Sequence, residues 1–202
     1  MTGSLIRLHL GAFNCAIPGW VNTDITPHLW IARVPFAARV FHQLGKMTDA
    51  RYREHLAGQF RTLKYLDLTK PLPYPNESVE AVFSSHVFEH LFFDEVEKLI
   101  REIHRVLIPS GICRVVVPDL EKIVRLFDPE HPSRFLEEIY EVGGRSGVKN
   151  AHHCGFTGRS LVKLFDAAGF TRADVTTYRR GLCPDIEKLD NRPESLFVEA
   201  IK

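Results

Sequence analysis

The sequence predicts an α/β fold, a doubly wound and mostly parallel sheet, and three observations carry the prediction. Short apolar runs alternate with amphipathic helical stretches along the chain. The run Ile112-Cys113-Arg114-Val115-Val116-Val117 is nearly all apolar, as suits a central strand buried on both faces. Residues 94–107 place Val96, Leu99, Ile100, Ile103, Val106 and Leu107 in one stripe at helical spacing.

The elements follow in order. Residues 5–10 read as a first strand that Gly11 ends. Pro18-Gly19 turns the chain into a second strand over 21–25, with Asp24 near its end. Residues 27–44 read helical with a break at Pro35 and a stop at Gly45. Thr48 caps a further helix reaching about residue 60. This 27–60 stretch is a helical insertion in a single domain over 1–202. A third strand is expected over 62–67, after which Pro71, Pro73 and Pro75 forbid regular structure. A fourth is expected over 79–85. Asp94 and Glu97 suggest a capping box for the clearest helix, which Pro109-Ser110-Gly111 stops before the central strand. Helices over 119–127 and 132–142, a loop over 143–155, a Thr157-capped helix ended by Gly169, and strands over 171–178 and 195–201 complete the chain. No helix is evident between the last two strands, so a reversed, antiparallel strand is expected at the sheet edge.

Composition narrows the function. The 202 residues suffice for one domain with a full core. A net charge of +1 argues against a broad basic face, so no nucleic-acid partner is expected. Cys15, Cys113, Cys154 and Cys183 lie far apart without a CxxC pair, which suits a reducing compartment better than a disulfide framework. The first ten residues are too few and too polar for a secretory signal, and no stretch reaches the roughly 18 apolar residues of a membrane span. Cytoplasmic localisation is the expectation, and a homodimer stays open.

In open α/β sheets ligands bind beyond the carboxyl ends of the strands, so the residues after each strand are the candidates. Gly11, Ala12 and Phe13 follow strand one. Only the first glycine of a dinucleotide fingerprint is present, and Asp24 comes 13 positions later, too soon for a loop, a full helix and a strand. A ligand without phosphates, held by backbone and by an acid on its ribose, fits better. S-adenosylmethionine is such a ligand. Asp24 can accept both ribose hydroxyls, or it can serve as a turn or cap residue. Asp67, followed by Leu68, faces an adenine amino group or closes a turn. Ser85 and His86 end strand four. His86 is the best-placed general base, ahead of Glu89 and His90, and His90 reads as loop support. Asp119 faces substrate or caps the next helix. His152 and His153 line a substrate pocket or are held within their loop. No metal is expected, because adjacent residues rarely both ligate and no second ligand pair appears at metal spacing.

Several segments together resemble a family. Leu8-His9-Leu10-Gly11 and Pro18-Gly19-Trp20-Val21-Asn22-Thr23-Asp24-Ile25 are similar to the opening of small class I S-adenosylmethionine-dependent methyltransferases of the methyltransferase type 11 kind. Leu72-Pro73-Tyr74-Pro75, Ser84-Ser85-His86-Val87-Phe88-Glu89-His90-Leu91, Arg105-Val106-Leu107-Ile108-Pro109-Ser110-Gly111 and Val116-Val117-Pro118-Asp119 resemble later segments of that family in the same order. The likeness runs from about residue 5 to 126, with a similar tail from Gly155. It implies a Rossmann-like methyltransferase fold, with S-adenosylmethionine held around Gly11, Asp24, Asp67 and Ser85. Phe13 departs from the family's Gly-x-Gly, and Ser110 stands for another glycine. The resulting expectation is methyl transfer to a small-molecule acceptor such as a sugar or cell-envelope precursor. The alternative, motivated by Phe13, is a degenerate fold that serves as a ligand-binding or scaffold protein. A nucleotide-sugar oxidoreductase is excluded by the missing glycine-rich loop and Tyr-x-x-x-Lys pair.

Overall fold

A computed structural model describes residues 5–140 and 151–202. The first half of the chain runs β1 (Ile6–Leu10), β2 (Val21–Asp24), α1 (His28–Ile31), α2 (Ala37–Gln43), α3 (Asp49–Leu56), β3 (Lys64–Tyr65), β4 (Val79–Ser85), a 3-10 turn (Phe88–His90) and α4 (Phe93–Val106). The second half runs β5 (Leu107–Val117), α5 (Leu120–Val124), α6 (Pro132–Tyr140), α7 (Gly158–Ala167), β6 (Arg172–Thr176), α8 (Ile186–Leu189) and β7 (Leu196–Ile201). The strands form one sheet in the order β3-β2-β1-β4-β5-β7-β6. β1 pairs in parallel with both β2 and β4, and β4 with β5, whereas β7 runs antiparallel to its neighbours β5 and β6. The reversed last strand is thus present, inserted one place in from the edge.

The strand sequences are apolar because both sheet faces are covered. Side chains alternate between faces along a strand. Val82, Val115 and Val198 pack with Ile100 and Ile103 of α4 and Phe165 of α7. Ala81, Phe83, Val116 and Phe197 face the other way, onto Ile17, Trp20, Cys183 and Leu189.

Local differences from the sequence expectations have physical causes. The third strand shrinks to two residues because it lies at the sheet edge and pairs only with β2. The cap of α4 sits earlier than Asp94. Phe92 is the N-cap, and the Glu95 carboxylate accepts its N–H at 2.9 Å, while Asp94 pairs with Lys98 at 2.7 Å along the exposed face. Thr48 and Thr157 cap α3 and α7 as expected. The helix expected over 132–142 is described to Tyr140, and the loop expected over 143–155 lies partly outside the described residues. α8, four residues between β6 and β7, had no periodic signal to announce it. Among the described residues no helix is long and apolar enough to cross a membrane.

Two buried polar groups organise the side of the sheet that carries α8. Arg114, in mid-strand, is wholly buried, and its guanidinium grips Asp190 through two hydrogen bonds of 2.9 and 2.6 Å. It also donates to the carbonyls of Thr177 and Arg180, and lies over the Phe197 ring. Glu199 stands 3.4 Å from the same guanidinium and accepts the N–H groups of Leu182 and Cys183. The 177–195 connection is thereby tied to the sheet. The second group is His9 of β1. Asn22 donates its amide to the carbonyls of Ile17 and Trp20 and accepts the Ile17 N–H. That fixes Asn22 Oδ1 as an acceptor, so His9 Nδ1, 3.2 Å away, carries the proton. Burial pulls the His9 pKa down to about 4, against the smaller opposing effect of Asn22.

Removing one partner of a buried ion pair leaves the other uncompensated. Asp190→Ala should therefore cost about 3 kcal/mol or more in urea unfolding, while Asp94→Ala should leave the midpoint unmoved. His9 gives a pH signature. Below its ordinary pKa of 6.5 the unfolded chain takes up a proton that folded His9 refuses until about pH 4. Stability should fall by about 3 kcal/mol through that window as pH drops, and His9→Phe should remove this share of the slope. An unchanged slope in the variant would contradict the assignment.

Candidate active site

At the carboxyl ends of β1, β2 and β4 lies a cavity of about 510 Å³. Gly11, Ala12, Phe13, Asp24, Asp67, Leu68, Ser85 and His86 all line it. The sheet order explains the convergence, since β1 lies between β2 and β4 and the three deliver their following loops to one place.

The turn after β1 is set by sterics and by one carboxylate. Gly11 has φ +67°, and a Cβ on it would stand 2.2 Å from Val87 Cγ2, so neither the conformation nor the space admits a side chain. Ala12 N–H donates to Thr23 O at 2.9 Å, and Phe13 N–H donates to Asp24 Oδ2 at 3.0 Å. Thr26 N–H donates to the other oxygen at 2.7 Å. Burial pushes the Asp24 carboxyl above its ordinary range, although the N–H groups of Thr26, Phe13 and Ile25 pull the other way. A carboxylate has about four acceptor positions, so these two bonds leave capacity for a diol.

Phe13 itself has φ 41°, in the left-handed region where a glycine would sit at ease. Its ring packs against the helical segment after β2, 5.8 Å from Phe60 and 6.1 Å from His28 between centroids, with the Arg51 guanidinium 4.3 Å above it. Asn14 adds a hydrogen bond of 2.8 Å to Glu54, which pairs with Arg51. Residues of α1 and α3 thus clasp the turn after β1.

Asp67 closes a turn at the cavity wall. It accepts the N–H and hydroxyl of Thr69, which with Lys70 hold its pKa below the ordinary carboxylate value, and it still lines the cavity. His86 has φ 54°, with Nε2 2.9 Å from Ser195 Oγ and Nδ1 3.1 Å from Glu89 Oε1.

The three substrate candidates do not join this group. Asp119 caps α5, accepting from Glu121 and Lys122 N–H at 3.1 and 3.3 Å, so the capping role prevails over a cavity role. His152 and His153 line a second cavity of about 320 Å³, together with Glu89, Pro118, Leu120 and Phe156. His153 stacks on Phe92, and His152 Nδ1 lies 2.9 Å from Ile139 O. The larger cavity also contains residues that no strand-end rule indicates. Lys188, Leu189, Asn191 and Arg192 come from the connection tied down by Arg114, and His90 comes from the 3-10 turn. The only sequence sign of the former was Arg114 itself, a charge inside an apolar strand.

Residues 43–115 match the methyltransferase domain family. Among solved structures, an S-adenosylmethionine-dependent methyltransferase from Mesorhizobium loti is similar, with 20% identity, covering 99% of this chain and 92% of that one at a TM-score of 0.55. One from Archaeoglobus fulgidus is similar with 13% identity, 99% and 87% coverage, and a TM-score of 0.53. With its strand order and its strand-end cavity, the chain shares the Rossmann-like fold of the S-adenosylmethionine-dependent methyltransferases it is similar to.

Proposed function

We propose that the protein is an S-adenosylmethionine-dependent methyltransferase acting on a small-molecule acceptor. The observation that carries this reading is Asp24. It lines the cavity beside the Gly11 turn, and two N–H groups hold its carboxylate while acceptor capacity remains. The residues fit the cofactor. The cavity volume lies in the range of small-molecule sites. Gly11 admits no Cβ, which keeps the backbone bare at this turn. Gly11, Ala12 and Phe13 would hold the cofactor through backbone, Asp24 its ribose, Asp67 and Leu68 its adenine end, and Ser85 the wall opposite. When bound, S-adenosylmethionine supplies an electrophilic methyl group on sulfur.

The chain's own work is then mainly positioning. Insertion residues Phe60, Arg51 and Glu54 fix the turn that faces the ligand. His86 is the candidate base for a hydroxyl acceptor, its ring held by Ser195 through Nε2. A hydroxyl-rich acceptor of the sugar or envelope-precursor kind suits such a base. The scaffold alternative draws only on Phe13. Because that ring is engaged with Phe60, His28 and Arg51 while a cavity of about 510 Å³ stays open beside it, the ring supplies no reason to prefer the alternative.

Calorimetry with S-adenosylhomocysteine tests the reading. Wild-type protein should bind. Asp24→Ala should weaken binding about tenfold or more, the worth of a hydrogen bond to a charged group, and Gly11→Ala should abolish it. Phe13→Gly should bring no gain. A folded wild-type protein that gives neither heat nor thermal shift would sink the enzymatic reading, and binding that appears only in Phe13→Gly would favour the scaffold.

A further inference from the structure

We propose that Glu89, His90 and His152 form a binding site for a divalent transition-metal ion between the two cavities. A carboxylate oxygen and one ring nitrogen from each histidine lie within 4.8 Å of one another. Bonds of about 2.0–2.2 Å to a shared ion set ligand atoms roughly 3–4.4 Å apart, so the three donors stand close to the spacing an ion needs. Glu89 is only 1% exposed, and neither carboxylate oxygen accepts a hydrogen bond among the described residues. His86 Nδ1 is 3.1 Å from Oε1 but outside hydrogen-bonding angles. A buried carboxylate left in this condition carries a large desolvation cost, which a cation would offset.

The backbone enforces the juxtaposition. Glu89 lies in the 3-10 turn after β4, and its carbonyl accepts the N–H groups of His153 and Cys154 at 2.7 and 3.3 Å. That clamp brings residues 152–154 against the turn and sets the His90 and His152 rings 5.0 Å apart, edge to face. The histidines are also oriented as ligands are. His152 Nδ1 lies 2.9 Å from Ile139 O, and His90 Nδ1 lies 3.5 Å from Ala151 O. A carbonyl only accepts, so each Nδ1 carries the proton. This carbonyl-to-histidine pattern fixes the tautomer of metal-binding imidazoles.

The donor set selects the ion. Two imidazoles and one carboxylate suit zinc or iron(II), whereas magnesium and calcium prefer all-oxygen sites. Three protein ligands also leave a coordination position open. His90 lines the larger cavity, while Glu89 and His152 line the smaller. An oxygen-bearing acceptor in the smaller cavity would therefore come within reach of the ion. This role for the ion rests on the methyl-transfer reading, but the binding of metal does not.

The test uses the full chain, stripped with chelator and equilibrated with zinc or with magnesium. Bound metal is measured by elemental analysis after dialysis, and S-adenosylhomocysteine binding is measured on the same preparations. One zinc per chain is expected, with a rise in Tm and no comparable effect of magnesium. Glu89→Gln keeps the side-chain volume and should weaken zinc binding about tenfold or more, as should His152→Ala, which lies outside the strands and helices. If Glu89→Gln fails to fold, His152→Ala and the absorption spectrum of a cobalt-loaded wild-type protein decide the matter. A folded wild-type protein that takes up no zinc overturns the site, as does zinc held equally well by both variants. Zinc uptake without S-adenosylhomocysteine binding would support the metal site and count against the methyltransferase reading. The reverse pattern would overturn the metal site alone.

Discussion

The site depends on a close approach between two loops. β1 and β4 are adjacent and parallel, so the segments that leave their carboxyl ends compete for one volume. Val87 fills the space where a Gly11 side chain would be. With no Cβ there, the first turn can lie close against the loop after β4, and residues of both line the cavity. A larger residue would have to push Val87 away, and His86 and Glu89 are its neighbours in that loop. Sheet order, glycine and candidate base are thus linked by one packing requirement.

Phe13 shows how such a turn tolerates an unfavourable residue. A non-glycine residue in the left-handed region costs on the order of 1–2 kcal/mol. Here the N–H of Phe13 is held by the Asp24 carboxylate, and its ring gains contacts with Phe60 and His28 under Arg51. The strained side chain is the one that the helical segment after β2 grips. The strained turn and the helical segment packed on it therefore form one structural solution. A turn that glycine would leave mobile is fixed from outside by helices that a glycine could not engage.

The legible part of the chain was the part governed by local rules. Alternating faces, proline breaks, the Thr48 and Thr157 caps and the strand-end positions of Gly11, Asp24, Asp67, Ser85 and His86 all follow from spacing a few residues long. What stayed hidden depends on contacts between distant residues. Arg114 and Asp190 are 76 positions apart, yet their pairing decides that Lys188 to Arg192 form a cavity wall. Asp119 was open to two roles because its place after a strand and before a helix satisfies both, and only the direction of its carboxylate separates them. His152 and His153 looked unsuited to metal because adjacency was the only relation visible. The donors that complete a set with His152 are Glu89 and His90, and they arrive through the backbone clamp on the Glu89 carbonyl.

The loop after β4 acts as a single device because of its tight geometry. Between Ser85 and Leu91 the chain passes through a left-handed residue, His86, and then a 3-10 turn. His86 precedes that turn and Glu89 lies within it, and their side chains meet at 3.1 Å. His90, one position on, is rotated away from that pair and reaches the wall of the larger cavity, while Glu89 remains with the smaller. A few consecutive residues therefore suffice to present a base candidate to one chamber and a carboxylate to the other. That compactness also couples them: a group that drew the Glu89 carboxylate toward His90 and His152 would draw it away from His86 Nδ1, which stands 3.1 Å from Oε1.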